Sequence, residues 1–338
     1  MKKVIISGIR QAEWVDVHTP TPVKDWALVK ITTTPMCTEY KAFQSGIPTH
    51  FLGHEAVGEV VEIAQSGKVK VGDRVVVMPQ YPCGICELCI SGDYIHCENL
   101  YDFLSFTGSP EGSATYGQFL IKPDWLLPKI PDDVSDEMAS LTLCALGPSF
   151  AACEKMNVSA FDTFLITGAG PVGLGAVINA HYRGARVIVI EGNPYRTEKA
   201  YQLGADLVID PSEGDVLRRV HLWSGGMGID KVLDCSGVVA AQRLCIDAVR
   251  RKGQIAFVGE CNQELPVKAS PDLIRKGISI HGIWHYNLTL FPKIIQLIRN
   301  SSNVLNLVSH VLPMKEVQKA FEISESQQCA KILLKPWD

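Results

Sequence analysis

Four cysteines set the tightest constraint on this chain. Cys83, Cys86, Cys89 and Cys97 stand in a Cys-x2-Cys-x2-Cys-x7-Cys run inside a glycine-punctuated loop, residues 81–100. Four thiolates so close in sequence suit one tetrahedral zinc with no coordination position left for a substrate, so this metal is expected to be a structural staple. Disulfides are the other use of clustered cysteines, but they need an oxidising compartment. Residues at i, i+3 and i+6 also can hardly pair with one another without strain. The remaining cysteines outside any zinc reading, Cys153, Cys235, Cys245, Cys261 and Cys329, lie mostly in apolar contexts and read as reduced core residues.

The chain has 338 residues, 46% of them hydrophobic, and a mean hydropathy of +0.11, enough for about two domains with their own cores. Residues 1–150 carry short β-branched runs between turn residues, at 4–6, 27–31, 57–63, 74–78 and 117–121, which reads as a β-rich module. After Phe161 strands alternate with helical stretches: 163–167 then 171–183, 186–190 then 194–203, 207–209 then 215–222, 231–234 then 239–250, with strands at 254–258 and 278–283. That alternation predicts a parallel sheet covered on both faces, a nucleotide-binding domain spanning 151–290. A helical stretch to Arg299 and a strand at 331–334 cannot form a third core, so 291–338 is expected to return to the first module. The uncharged run 163–180 is long enough to span a membrane, but Gly168, Gly170, Pro171, Gly173 and Gly175 interrupt it, and it reads as strand, turn and helix.

The glycines at that turn carry chemistry. Gly168-Ala169-Gly170-Pro171-Val172-Gly173 follows an apolar strand and opens a helix, the context a G-x-G-x-x-G match requires. The first glycine permits the turn, the second lets backbone approach a pyrophosphate, and the third lets helix and strand pack. The helix N-terminus then offers its N–H groups to the phosphates. Glu191, at the end of the next strand, is placed to accept from the adenosine ribose hydroxyls and would repel a 2′-phosphate, which favours NAD over NADP. Arg196 would partly offset that repulsion. Cys235-Ser236-Gly237 and Val258-Gly259 follow two further strands, where an open parallel sheet binds its ligand, and are expected to line the nicotinamide half.

Charge excludes some partners. With 32 Lys and Arg against 36 Asp and Glu, the net charge is −4, without blocks of like charge. A nucleic-acid backbone therefore has no electrostatic footprint here. The apolar stretch after Lys2 and Lys3 is too short for a signal peptide, so we expect a cytoplasmic protein with no membrane partner.

A second set of metal-type side chains is scattered: Cys37 after an apolar stretch, His54 in Gly53-His54-Glu55-Ala56-Val57-Gly58, and Cys144 near the junction of the modules. Spacing alone does not connect them. Three mixed thiolate and imidazole ligands would leave a tetrahedral zinc one open position, as catalysis requires.

Taken in order, the 53–58 segment, the four-cysteine loop, Val71-Gly72-Asp73-Arg74-Val75 and the 168–173 fingerprint resemble the zinc-dependent medium-chain dehydrogenase/reductase family, the alcohol and polyol dehydrogenases, over essentially the whole chain. The resemblance implies an α/β protein: a Rossmann doubly wound parallel sheet plus a β-rich GroES-like catalytic domain. It implies NAD and two Zn2+ per subunit, one structural and one catalytic, the latter on Cys37, His54 and Cys144 with Glu55 as a close neighbour able to exchange onto the metal. It also implies a homodimer or homotetramer.

Two positions depart from the family pattern. Where it has Ser or Thr two residues after the first ligand and a histidine three further on, this chain has Glu39 and Ala42. The usual proton relay is absent as written, and Thr38, Glu39, Tyr40, Lys41 or His50 would replace it. Glu39 is the best candidate by chemistry, since a carboxylate near the reacting hydroxyl can accept its proton. A role as a charge supporting the metal ligands is the alternative. The segment between Cys37 and His54 is shorter than usual, which opens the substrate pocket. Trp284-His285-Tyr286-Asn287 reads either as a pocket cluster for a polyhydroxylated substrate or as an oligomer contact. The expected activity is hydride transfer between NAD and a small-molecule alcohol: a polyol, cyclitol, sugar or sugar acid. A reductase of simple aldehydes or ketones, or a catalytically silent dinucleotide sensor, are the alternatives.

Overall fold

The computed structural model describes residues 1–338. It divides into two compact units: 1–143 with 287–291 and 308–338, and 144–286 with 292–307.

In the first unit, β1 (Lys2–Gly8) and β2 (Gln11–Asp16) form a hairpin. β3 (Trp26–Pro35) pairs antiparallel with β4 (Ala56–Ile63) on one side, and β4 with β5 (Arg74–Val77). β6 (Phe119–Pro123) also pairs antiparallel with β3. Alternate residues of these strands face one core, where Val29, Ile31, Val60, Val75 and Leu120 are wholly buried, which is what period-two patterning dictates.

The second unit is a six-stranded sheet of β7 (Thr163–Thr167), β8 (Arg186–Ile190), β9 (Leu207–Ile209), β10 (Ile229–Asp234), β11 (Val249–Phe257) and β12 (Ser279–Gly282). All pairings are parallel, in the order β12-β11-β10-β7-β8-β9. This is the doubly wound order, with its switch point between β7 and β10. β7 and β8 read as unbroken apolar runs because helices cover both faces; Phe164 to Ile166 and Val187 to Val189 are fully buried. Pro171 opens the helix Pro171–Tyr182, where its missing N–H costs nothing.

Two more strands, β13 (Val308–Pro313) and β14 (Lys331–Lys335), complete the first unit. β14 pairs with β3 and carries β13 on its other side, so that sheet runs β13-β14-β3-β4-β5.

Three sequence expectations change. Residues 292–307 group with the second unit, not with the first. The apolar face of the helix Phe291–Asn300 buries Ile294, Leu297 and Ile298, and Asn303 Nδ2 donates to the Leu203 carbonyl at 3.3 Å. The helix before β11 ends at Ala248, and residues 249–250 already belong to the strand. β13 was not anticipated.

Candidate metal centres and dinucleotide site

The four loop cysteines converge. Cys86 Sγ lies 3.5 Å from Cys89 Sγ and 3.9 Å from Cys97 Sγ, and Cys83 Sγ lies 3.6 Å from Cys97 Sγ and 4.0 Å from Cys89 Sγ. Disulfide sulfurs would sit near 2.05 Å. A regular tetrahedron with metal–sulfur bonds of about 2.3 Å has edges of about 3.8 Å, which these distances bracket. Burial would raise the Cys83 thiol, but the backbone N–H groups of Ile85 and Cys86 more than reverse this and bring it down to about 7, favouring the ligating thiolate. Asn287 serves this loop: its Nδ2 donates to the Ser91 carbonyl and to Asp93 Oδ1, both at 2.9 Å. Its neighbours His285 and Tyr286 are buried and stacked with ring centroids 4.5 Å apart, while Trp284 is half exposed.

The second set forms where three strand ends meet. Cys37 lies just past the end of β3, His54 and Glu55 just before β4, and Lys331 at the start of β14. Strand order places β3 between the other two, and antiparallel pairing brings these ends to one edge of the sheet. Cys144 follows the last residue of the first unit's opening segment. One ligand atom from each of Cys37, His54, Glu55 and Cys144 lies within 4.8 Å of all the others.

Glu39 orders this cluster. Its carboxylate lies 2.9 Å from His54 Nδ1 and accepts from the Cys37 backbone N–H at 2.8 Å and the Tyr116 hydroxyl at 3.2 Å. Nδ1 is thereby occupied, and Nε2 is the imidazole nitrogen turned toward Glu55, at 3.8 Å from its Oε1. Burial alone would lower the His54 pKa; the Glu39 charge overrides it and holds the imidazole up to about 11. Burial likewise works against ionising Glu39, but His54 and the Cys37 N–H bring it down to about 2. Lys331 Nζ donates to Glu55 Oε1 at 2.8 Å. Burial raises the Glu55 carboxyl, opposed by the Lys331 charge. Two thiolates, an imidazole and a carboxylate suit zinc. A cavity of about 480 Å³ opens beside His54, lined among others by Thr38, Glu39, Thr49 and Phe51.

At the carboxyl ends of the parallel strands, Gly168 has φ +84°. A side chain on Gly173 would stand 1.8 Å from the Gly168 carbonyl oxygen, while one on Gly170 would meet nothing within 4 Å. The third glycine is therefore fixed by packing and the second faces open space, as a phosphate cradle needs. Glu191 accepts from the Ala169 N–H at 2.7 Å and the Asn193 N–H at 2.8 Å, so it sits beside the turn. Val172 lies in the first turn of the same helix. Arg196, in the first turn of the next helix, has a buried Nε without a protein partner.

Two domain models match: the alcohol dehydrogenase GroES-like domain over residues 23–132 and the zinc-binding dehydrogenase domain over 171–300. Sorbitol dehydrogenase of Halalkalibacterium halodurans is 32% identical across 94% of each chain. L-threonine 3-dehydrogenase of Shewanella putrefaciens is 32% identical across 96% of each. The chain belongs to the zinc-dependent medium-chain dehydrogenase family. Among solved structures, the alcohol dehydrogenase of Thermus sp. ATN1 superposes with a TM-score of 0.88 at 26% identity, covering 99% of both chains.

This dehydrogenase is thus an NAD- and zinc-dependent oxidoreductase of alcohols, with the expected pairing of a GroES-like domain and a doubly wound sheet. Its residues add what sequence reading missed. Asp234, wholly buried at the end of β10, accepts from Thr167 Oγ1 at 2.7 Å, Ser236 Oγ at 2.6 Å and Gln242 Nε2 at 3.1 Å. Its carbonyl takes the N–H groups of Val258 and Gly259, both at 3.0 Å. Asp234 thereby holds both loops expected at the nicotinamide half, one through its carboxylate and the other through its backbone carbonyl. Cys235, partly buried, lies beside the Gly173 turn. No helix is long and apolar enough to cross a membrane.

Proposed function

We propose that the dehydrogenase oxidises a polyhydroxylated alcohol, transferring hydride to NAD, at the centre formed by Cys37, His54, Cys144 and Glu55. The observation that carries this reading is the gathering of those four donor atoms within 4.8 Å, next to a cavity lined by hydroxyl and apolar side chains. A zinc bound there would act as a Lewis acid that lowers the pKa of a substrate hydroxyl. The chain's own residues do the rest. Glu39 fixes the tautomer and orientation of His54, and Lys331 holds the Glu55 carboxylate within reach of the cluster. Gly170 and the helix behind it receive the pyrophosphate, and Glu191 the adenosine ribose. Ser236, Val258 and Gly259, ordered by Asp234, border the nicotinamide.

Glu39 is engaged by three donors, which supports a role in holding His54 more than one as the first proton acceptor. Thr38, exposed at the cavity beside it, is the better placed hydroxyl to hand a proton outward. The structural zinc would sit on Cys83, Cys86, Cys89 and Cys97, whose thiolates fit the reducing cytoplasm. The outer edge of β12, with Ile280 and Trp284 exposed near it, supports a homodimer or homotetramer by strand pairing with a second copy.

The test is NADH formation by the zinc-loaded protein over polyols, cyclitols, sugars and simple alcohols, with NADP in parallel and the mass in solution measured by light scattering. Turnover with NAD that rises with hydroxyls beyond the reacting one supports the reading. Equal turnover of simple alkanols would replace it with a general alcohol or aldehyde activity.

A further inference from the structure

We infer that Gln242, which lies outside the expected coenzyme contacts, is a positioning residue for the nicotinamide half of the site: its side-chain amide clasps the loop after β10 to the loop after β11. This rests on the proposed placement of the nicotinamide at those two loops and names the side chain that holds them together.

Gln242 stands in the helix Val239–Ala248, which follows the first of the two loops. It is only 6% exposed, so water cannot stand in for its donors. Its Nε2 donates to Asp234 Oδ2 and to the Gly259 carbonyl, both at 3.1 Å. Two acceptors on one side fix which way the amide faces, and both of its N–H groups are spent on them. At one end of the clasp, the Asp234 carboxylate also takes the Ser236 and Gly237 N–H groups, at 3.0 and 3.2 Å. At the other end, Gly259 is held at its N–H by the Asp234 carbonyl, at 3.0 Å, and at its own carbonyl by Gln242. Between these ends the loops touch backbone to backbone. A Cβ on Gly259 would stand 2.2 Å from the Gly237 nitrogen, and one on Gly237, where φ is +66°, would stand 2.3 Å from the Glu260 carbonyl oxygen. That contact has no room for a side chain, and the buried amide closes it. Thr167, the residue before the pyrophosphate turn, donates to Asp234 Oδ1 at 2.7 Å, a link that does not pass through Gln242. Removing the amide therefore loosens the nicotinamide loops and leaves the adenosine end, at Gly168 and Glu191, in place. A ring held by two loops at once is sensitive to their spacing on the scale of about an ångström.

NADH and ADP-ribose separate the two halves, since ADP-ribose carries the adenosine, the pyrophosphate and the second ribose without the ring. Each is titrated calorimetrically into the full chain and into Gln242→Met, which keeps the length of the side chain and removes its donors. We expect Gln242→Met to weaken NADH by about tenfold and ADP-ribose by less than about twofold. Gly259→Ala presses on the same contact from the other loop and should give the same pattern; it decides the matter alone if Gln242→Met folds poorly. Unchanged NADH affinity, or equal losses for both ligands in both variants, a collapse of the fold included, would overturn the positioning role while leaving the coenzyme site standing. A parent protein that binds ADP-ribose and gains nothing from the nicotinamide ring would overturn the placement of the ring at these loops, and this inference with it.

Discussion

Lys331 Nζ lies 2.8 Å from Glu55 Oε1, and neither side chain has exposed surface. The pair ties the start of β14 to the residue before β4, at the sheet edge where the metal-type side chains gather. Such a pair is costly to bury, and its stabilising value appears when one partner is removed.

Lys331→Met should therefore leave the Glu55 carboxylate buried without its cation and lower unfolding free energy by about 3–5 kcal/mol, read from urea denaturation. Lys331→Arg should lose less. Glu55→Gln in the Lys331→Met background should recover part of the loss, since a neutral amide no longer needs a cation. A loss below about 1 kcal/mol in Lys331→Met would mean that Glu55 protonates or finds another donor.

Zinc content should divide by cysteine. Cys86→Ser should remove one zinc and lower thermal stability, because the loop 83–97 is held by those thiolates. Cys37→Ser should remove a different zinc, abolish turnover and leave the melting temperature closer to that of the parent, since the strands around it carry their own core. Metal analysis with calorimetry separates the two. Loss of both metals from either variant would contradict independent centres.

The sequence was most legible where the chemistry is local. The four cysteines and the glycine fingerprint each lie in one short segment, and each side chain's role follows from its immediate neighbours. Cys37, His54 and Cys144 were different: only the pairing of β3 with β4 joins the first two, and no spacing rule states it. Lys331 lies 276 residues from Glu55 and reads in sequence as an ordinary surface lysine. Asp234 looked like the last residue of a strand, though it organises two loops. Glu39 stays divided in sequence between a proton acceptor and a charge supporting the metal ligands, because sequence does not show Tyr116, 77 residues away, among its donors. β13, with the sequence VSHVLP, lacks clean alternation because its residues are only partly buried.

Zinc loading should release protons. In the metal-free protein His54 is held up to about 11, chiefly by the Glu39 charge acting against burial, so near neutral pH its imidazole is protonated and a metal on Nε2 must displace that proton. Apparent zinc affinity should then rise with pH throughout the range below 11. Calorimetry in buffers of different ionisation enthalpy counts the protons, and Glu39→Gln should reduce the count. The same pair stabilises the metal-free fold: with Glu39 lowered from 4.5 to about 2, its contribution is present above the ordinary carboxylate value and is lost as pH falls toward 2. A proton count independent of Glu39 would show that the imidazole is neutral before metal arrives.

Coenzyme choice should turn on Glu191. Its carboxylate is already oriented by the Ala169 and Asn193 N–H groups, so on the proposed reading it would meet the ribose without rearranging and would repel a 2′-phosphate. Glu191→Ala should raise KM for NAD and lower the NAD to NADP preference in kcat/KM by about tenfold or more, one lost hydrogen-bonding charge being worth roughly 1.5–3 kcal/mol. Arg196, whose buried Nε has no protein partner, then offers a cation to the phosphate from the first turn of the next helix. Glu191→Ala combined with Arg196→Ala should accordingly lose the NADP gained by the first change alone. An unaltered preference in the single variant would place the ribose contact on another residue.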